Sequence, residues 1–248
     1  AVTWYGFGFR YASAQEARFS VISEAILALM VLVYIRRYAS WREAGYGPFS
    51  WRRSLWVAPL LIPALLYAVY LLSAIASAKP DGLAILGVAA VALMTLLVGF
   101  AEETTFRGIL LRGEMAAGRN VFVAMLVSAI GFSLLHSVNI FAGMAPAQVL
   151  GQLRDTLVVG LCLAPLALLT GNLLPLVIWH FLWDFSGLVV TQVPLEQTNV
   201  LFASINLAGI PLQYLMGIIG WVVVFVLWRR GQFQTPSELV TRTAMHRS

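Results

Sequence analysis

Apolar runs of about the length of a membrane span recur along this chain, and they limit its fold more than any other feature. A helix of about 20 apolar residues crosses the hydrocarbon core of a bilayer, and only helices and closed barrels satisfy their backbone groups there. The sequence therefore predicts an all-α polytopic transmembrane helix bundle of about seven spans, or eight if interfacial helices are counted. The runs are residues 20–35, 55–78, 83–111, 121–141, 156–169, 176–190 and 200–228.

Composition supports a membrane protein and argues against several other classes. Of the 248 residues, 60% are hydrophobic and only 11% are charged, far from the average soluble protein. The net charge of +5 comes largely from arginines in short loops between apolar runs, where they report membrane topology. The expected partner is the lipid bilayer, and no nucleic-acid partner is expected. The single cysteine, Cys162, excludes an internal disulfide framework and a cysteine metal cluster.

The basic residues also predict an orientation. With the N-terminus outside, twelve of the 16 lysines and arginines fall on the cytoplasmic side, as the positive-inside rule requires. We therefore expect a multi-pass cell-membrane protein whose C-terminus is cytoplasmic. The near absence of lysine suggests a bacterial source, and hence the inner membrane of a prokaryote. One transmembrane domain would cover residues 1–230, followed by a cytoplasmic tail at 231–248.

Several runs have internal features that predict local structure. The third run is too long for one upright span, so it must tilt, or bend near its charged residues and follow the interface. A polar loop over 143–155 would precede a short fifth span broken by Pro165, and Pro211 would lie inside the seventh run. Glu24, near the start of the first run, is interpreted as a carboxylate that reaches back to the interface, with a functional role as the alternative.

Charged residues sit at the end of the third run, where an apolar segment leads into Gly99-Phe100-Ala101-Glu102-Glu103-Thr104-Thr105-Phe106-Arg107-Gly108. An ionisable group at membrane depth costs roughly 2.5 kcal/mol or more, so it indicates a functional site with a partner. On a helix Glu103 and Arg107 share a face, whereas Glu102 points about 100° away from Glu103. The spacing predicts that one carboxylate is neutralised and the other is free for chemistry.

Two further polar pairs lie on later spans. Phe132 and His136 are four residues apart, as are His180 and Asp184, so each pair shares one face of its helix. Buried polar groups need partners, and they would find them if all three groups met in one cavity inside the bundle. Carboxylates and imidazoles together can activate water and stabilise an oxyanion.

These three motifs, in this order on successive spans, resemble the CPBP family of intramembrane glutamic endopeptidases, also called the Abi family. That family includes CAAX prenyl endopeptidases and proteases associated with bacteriocin processing or immunity. The resemblance covers roughly residues 83–188, the motif core, and the flanking spans match only in being apolar.

The resemblance implies a role for each residue. Glu102 would be the general base that, with His136, polarises water for attack on an amide, and no metal or other cofactor would be needed. Glu103 would pair with Arg107, and Phe132 would support the site. His180 and Asp184 would form the oxyanion site. An ionised Asp184 cannot donate a hydrogen bond, so it would be protonated or would orient His180.

The sequence leaves three functions open. The first is a metal-independent peptidase that cuts a membrane-associated peptide or protein near the cytoplasmic leaflet. The second uses Glu102, His136 and His180 as zinc ligands, although the chain has no His-Glu-x-x-His segment. The third is a non-catalytic transport or immunity protein that uses the polar cluster as a proton or ligand site.

Overall fold

The predicted all-α fold is confirmed. The computed structural model describes residues 14–192, 206–207 and 210–233, with the backbone alone at 14–19, 206–207 and 210. Two-residue strands β1 (Asn206–Leu207) and β2 (Ile210–Pro211) form a small antiparallel hairpin before the last helix. The helices are α1 (Ala14–Tyr38), α2 (Trp51–Ser54), α3 (Ala58–Ser77), α4 (Gly82–Glu103), α5 (Leu111–Ala116), α6 (Val121–Leu135), α7 (Pro146–Thr170), α8 (Leu174–Leu188) and α9 (Leu212–Arg229).

Six helical segments of the described chain are long and apolar enough to cross a membrane, close to the predicted seven. They are Ala58–Ser77, Gly82–Ala116, Val121–Ala142, Pro146–Thr170, Leu174–Thr191 and Leu212–Arg229. The first predicted span lies on α1, which is helical but also carries Glu24, Arg36 and Arg37 within its described length. Of the tail predicted over 231–248, residues 234–248 lie outside the described part of the chain.

Three local expectations are wrong: the polar loop over 143–155, the break at Pro165 and the position of Pro211 inside a span. The polar segment predicted as a loop over 143–155 is helical from Pro146, because proline fits the first turn of a helix and the Gln148 side chain accepts a hydrogen bond from the Ala145 N–H. Pro165 lies inside α7 without breaking it. Pro211 lies immediately before α9 instead of within a span, so it marks the start of that helix.

The long third run is one helical segment with a change of helix type at the charged motif. α4 ends at Glu103 and continues directly as a π-helix over Thr104–Leu110, which is followed by α5. π-Helical turns are rare and often occur at functional sites. The Thr104 hydroxyl donates to the Phe100 carbonyl and contacts the Tyr46 hydroxyl at 2.7 Å. The loop that carries Tyr46 thus packs against the start of the π-helix.

Close helix contacts position the polar motifs. A Cβ on Gly99 of α4 would lie 3.1 Å from the Val177 carbonyl oxygen of α8, so only glycine allows these helices to approach so closely. On the other side of the bundle, a Cβ on Gly160 of α7 would lie 2.9 Å from Ala129 Cα of α6. The first contact joins the glutamate motif to the histidine on α8.

The bundle has two ends that differ in their residues. α1, α4, α7 and α9 run toward one end, and α6 and α8 begin there. This end contains the loop over 39–50, α2, α5 and the turn at Gly171 and Asn172. We call it the arginine end, because Arg42, Arg53 and Arg112 lie there. The opposite end holds the beginnings of α1, α4 and α7 and the last turns of α6 and α8.

Candidate active site

A buried ion pair lies where α4 becomes the π-helix. Arg107 Nη1 lies 3.1 Å from Glu103 Oε1, and both side chains are fully buried. The Arg107 guanidinium carbon is 4.1 Å from the centroid of the Phe132 ring, a distance at which a cation is attracted to an aromatic face. Arg107 Nε and Nη2 and Glu103 Oε2 form no hydrogen bond with the described residues. The charge of Arg107 is thus met by one carboxylate and one aromatic ring.

His180 lies among three carboxylates. Its Nδ1 is 2.8 Å from Glu103 Oε1, while its Nε2 is 3.3 Å from Asp184 Oδ2 and 3.6 Å from Glu102 Oε2. The Glu103 oxygen already accepts from Arg107, so the His180 Nδ1–H donates to it. This contact fixes the orientation of the ring and directs Nε2 toward Glu102 and Asp184.

Glu102 differs from its neighbour in what it faces. Its side chain is 12% exposed, against 0% for Glu103, and it lines a cavity of about 550 Å³ that also contains Asp184 and His136. We call this space the carboxylate cavity. Its other lining residues come from α1, α4, the end of α6, the 3₁₀ helix His136–Ala142 that follows it, the first half of α7 and the end of α8. The cavity therefore extends from Glu102 toward the opposite end.

His136 occupies the C-cap of α6. Its Nδ1 lies 3.0 Å from the Phe132 carbonyl oxygen, so Nδ1 carries the proton in the neutral ring and Nε2 has the lone pair. The Phe132 ring packs edge-on against His136 and His180, with centroid distances of 5.1 and 6.1 Å. Phe132 therefore separates and orients the two imidazoles.

The structure brings every predicted site residue to one region. Glu102, His136 and Asp184 line the carboxylate cavity, and the buried His180 ring lies 3.6 Å from Glu102. The buried layer beneath consists of Glu103, Arg107 and Phe132. Among the described residues, no group of three His, Cys, Asp or Glu side chains has the arrangement of a metal site.

The sequence analysis did not predict some of the residues that line the carboxylate cavity. Glu24 of α1 lines the same cavity as Glu102 and Asp184, although its position near a span end favoured an interfacial carboxylate. Asn139 donates to Gln152 of α7 at 2.8 Å, and both residues line the cavity. The sequence analysis placed Gln152 in a loop, so it did not predict that this residue would line the cavity. In the structure Gln152 lies on α7.

Residues 84–186 match a family model described as type II CAAX prenyl endopeptidase Rce1-like. The chain matches no curated protein and no solved structure. The family match indicates a membrane peptidase. The match covers residues 84–186 of the 248 and confirms the resemblance to the CPBP family of CAAX proteases that the motifs carry.

Proposed function

We propose that the chain hydrolyses a peptide bond of a membrane-associated peptide or protein with water activated by Glu102. Glu102 removes a proton from the water, and the resulting hydroxide attacks the carbonyl carbon of the substrate. The carbon–nitrogen bond then breaks as Glu102 returns the proton to the leaving amine. His136, with its Nε2 lone pair, holds the same water. The observation that carries this proposal is the position of Glu102 between a cavity and His180 Nε2.

His180 and Asp184 would stabilise the oxyanion. With Nδ1–H donated to Glu103, His180 donates through Nε2 when the ring carries both protons. Asp184, at 3.3 Å from Nε2, would hold the ring when ionised and could donate only when protonated. Glu103 takes the positioning role that the sequence offered to Asp184, because it makes the shorter contact to the imidazole.

Glu102→Gln tests the proposal, because it keeps the shape of the side chain and removes the base. General-base removal lowers rates by about 10²- to 10⁴-fold. Glu114→Gln is the matched control, since Glu114 lies on the same helical segment but pairs with Arg119 at the arginine end. Comparative peptidomics of cells that make each variant, followed by cleavage assays on the reconstituted protein, measures the effect. Unchanged cleavage by Glu102→Gln would overturn the assignment.

Metal independence is part of the proposal. Zinc usually has three or four protein ligands, and no three His, Cys, Asp or Glu side chains in the described part of the chain are arranged as ligands of one ion. Activity should persist after chelator treatment, and elemental analysis should find no stoichiometric zinc. Loss of activity with a chelator, restored by zinc, would favour the zinc peptidase instead.

The sequence predicted both an outside N-terminus and cleavage near the cytoplasmic leaflet, and the direction of the cavity favours only one of the two at a time. The carboxylate cavity extends toward the end where α1 begins, so an N-terminus outside places cleavage in the outer half of the bilayer and not near the cytoplasmic leaflet. We propose the outside N-terminus, because twelve of the 16 basic residues support it.

Impermeant maleimide labelling of intact cells tests this orientation. Cys162→Ala would provide a background, and Lys79→Cys and Arg119→Cys would report the opposite end and the arginine end. Labelling at position 79 alone is expected. Labelling at 119 alone would reverse the orientation and restore cleavage at the cytoplasmic leaflet.

A further inference from the structure

A second cavity lies at the arginine end, remote from the predicted catalytic residues. It has a volume of about 380 Å³, and its lining includes Arg42, Arg53 and Arg112 but no Asp or Glu among the described residues. We call it the arginine pocket. Its walls come from the loop over 39–50, α2, α5 and the C-terminal end of α7.

Arg112 carries unused hydrogen-bond donors into this region. Its Nε and Nη2 are buried and have no hydrogen-bond partner among the described residues. A buried donor without a partner is costly, and more so when it is charged. Arg53 donates through Nε to the Leu169 carbonyl at 3.0 Å and through Nη2 to the Leu168 carbonyl at 3.4 Å, but neutral carbonyls leave its positive charge unbalanced.

Two glycines make room for these side chains. A Cβ on Gly45 would lie 3.2 Å from Arg112 Nε, and one on Gly171 would lie 2.7 Å from Arg53 Nη1. Both glycines have positive φ, +95° and +68°, a conformation that other residues rarely adopt. The arginines are therefore held across the backbone at defined positions.

Nearby carboxylates are already engaged elsewhere. Glu43 accepts hydrogen bonds from the Ser40 backbone and hydroxyl, and Glu114 pairs with Arg119. The cluster thus keeps its positive charge within the described fold. An anion from outside the described residues would complete it, and guanidinium groups bind phosphate well because of their planar donor geometry.

The surroundings indicate where that anion comes from. Trp41 and Phe49, which are next in sequence to the pocket residues Arg42 and Pro48, are exposed, and Trp51 is 80% exposed. Exposed tryptophans and other aromatic side chains on a membrane protein sit at the headgroup level of the bilayer. Basic pockets between transmembrane helices at this depth bind anionic lipid headgroups.

We propose that the arginine pocket binds the phosphate group of an anionic phospholipid. Arg112 and Arg42 contribute charge and donors, and Arg53 fixes the pocket against the end of α7. The volume greatly exceeds the ~30 Å³ share of one water, so it accommodates the phosphate together with the glycerol that carries it. This site is independent of the proposed peptidase chemistry.

The test uses the full-length protein, purified and delipidated in detergent. Its thermal midpoint is followed against added phosphatidylglycerol, phosphatidylcholine or inorganic phosphate, and native mass spectrometry counts the bound lipid. We expect a saturable upward shift with phosphatidylglycerol at about one lipid per chain, and little effect of the other two.

Arg42→Gln and Arg112→Gln should each weaken phosphatidylglycerol binding about fivefold, as expected for roughly 1 kcal/mol per basic residue near anionic lipid. Arg112→Lys should retain most of the binding. The double variant Arg36→Gln/Arg37→Gln is the matched control, because it removes two exposed charges at the C-terminal end of α1, outside the pocket.

Three outcomes would overturn the proposal. The first is equal binding by the pocket variants and the unmodified chain. The second is an equal loss in the Arg36/Arg37 control, which would indicate general surface charge. The third is a full shift with inorganic phosphate alone, which would make free phosphate the ligand. Since Arg42 is exposed, its variant should fold even if an Arg112 variant does not.

Discussion

Two cavities lie at different ends of one helix bundle, one lined by Glu24, Glu102 and Asp184 with His136, the other by arginines. Both bring charge into an apolar environment, but they stabilise it differently. The ion pair beneath the carboxylate cavity is formed within the fold, through Glu103, Arg107 and His180. The arginine pocket has no such internal counter-charge among its described lining residues.

The difference separates a site that is organised in advance from one that is completed by a ligand. Catalysis gains from groups held in place before the substrate arrives, because no reorganisation is needed during reaction. A lipid site can leave donors unsatisfied, because the bilayer supplies the anion continuously. The same cost of burying charge therefore predicts opposite responses to mutation at the two ends.

The largest expected effect is on stability at Arg107. Arg107→Met removes the arginine that pairs with the buried Glu103 carboxylate and leaves it only the contact with His180, and breaking a buried ion pair in this way costs about 3–5 kcal/mol. The double variant Glu103→Gln/Arg107→Met removes both charges and should recover much of that loss. Thermal or denaturant unfolding in detergent measures it, with Arg112→Gln in lipid-free detergent as the comparison. If Arg112→Gln were equally destabilising without lipid, the contrast between the two ends would fail.

A smaller loss of stability is expected when the contact between α4 and α8 is widened, because this contact brings the glutamates close to His180. Gly99→Ala places a methyl group 3.1 Å from the Val177 carbonyl oxygen, so α4 and α8 must separate at a cost of about 1–3 kcal/mol. Peptidase activity should fall as well, because Glu102 moves from His180 Nε2. Lipid binding at the arginine pocket should not change.

Gly113→Ala is the matched control for that experiment. A Cβ there meets nothing within 4 Å, and alanine favours a helix over glycine by up to about 1 kcal/mol. Stability should therefore stay the same or rise. Full activity in Gly99→Ala would show that the close approach does not position the site.

A loss of about 1 kcal/mol in the free energy of unfolding is expected from a change in the loop over 39–50, which contacts the π-helix. Tyr46→Phe removes the 2.7 Å hydroxyl contact with Thr104 at the start of the π-helix. Burial raises the pKa of Tyr46 to about 12, above the value near 10 of a free tyrosine. Its hydroxyl therefore stays protonated below about pH 10, and the loss should be the same at pH 6 and pH 9. A loss that varied between these pH values would contradict this.

The smallest effect concerns substrate charge. Glu24→Gln removes one of three carboxylates that line the carboxylate cavity. If substrate binds there, KM should rise about fivefold for peptides with a basic residue near the cleaved bond, equivalent to ~1 kcal/mol at modest separation. Neutral peptides should be cleaved with unchanged KM. Equal KM changes for both peptides would argue for a packing role of Glu24.

Local spacing predicted much of the candidate site. The four-residue separation of Glu103 and Arg107 was enough to predict that they face each other, because helix geometry fixes that relation. The contact between Glu103 and His180 was not predictable, since it depends on how closely α4 approaches α8 at Gly99. The π-helix after Glu103 was also missed, because a wider turn leaves no apolar period to detect.

The polar residues at the start of α7 led to a wrong prediction of how the carboxylate cavity is lined. Gln152, Arg154 and Asp155 suggested a loop, yet they continue α7, because one face of this stretch carries Val149, which is buried. Tertiary packing outweighs local polarity here. The error concealed the Gln152 side of the cavity and removed the reason to place Glu24 there.

The seven-residue π-helix at Thr104–Leu110 lies between the glutamates and Arg112. Its rotation therefore sets the direction of the Arg112 side chain relative to theirs. Each residue of a regular helix turns the chain by about 100°, so deleting Ile109 would rotate everything downstream while leaving both glutamates in place. Arg112 would then turn out of the arginine pocket that it lines. The deletion should therefore weaken lipid binding at the arginine pocket, while Glu102 and Glu103 keep their positions on α4.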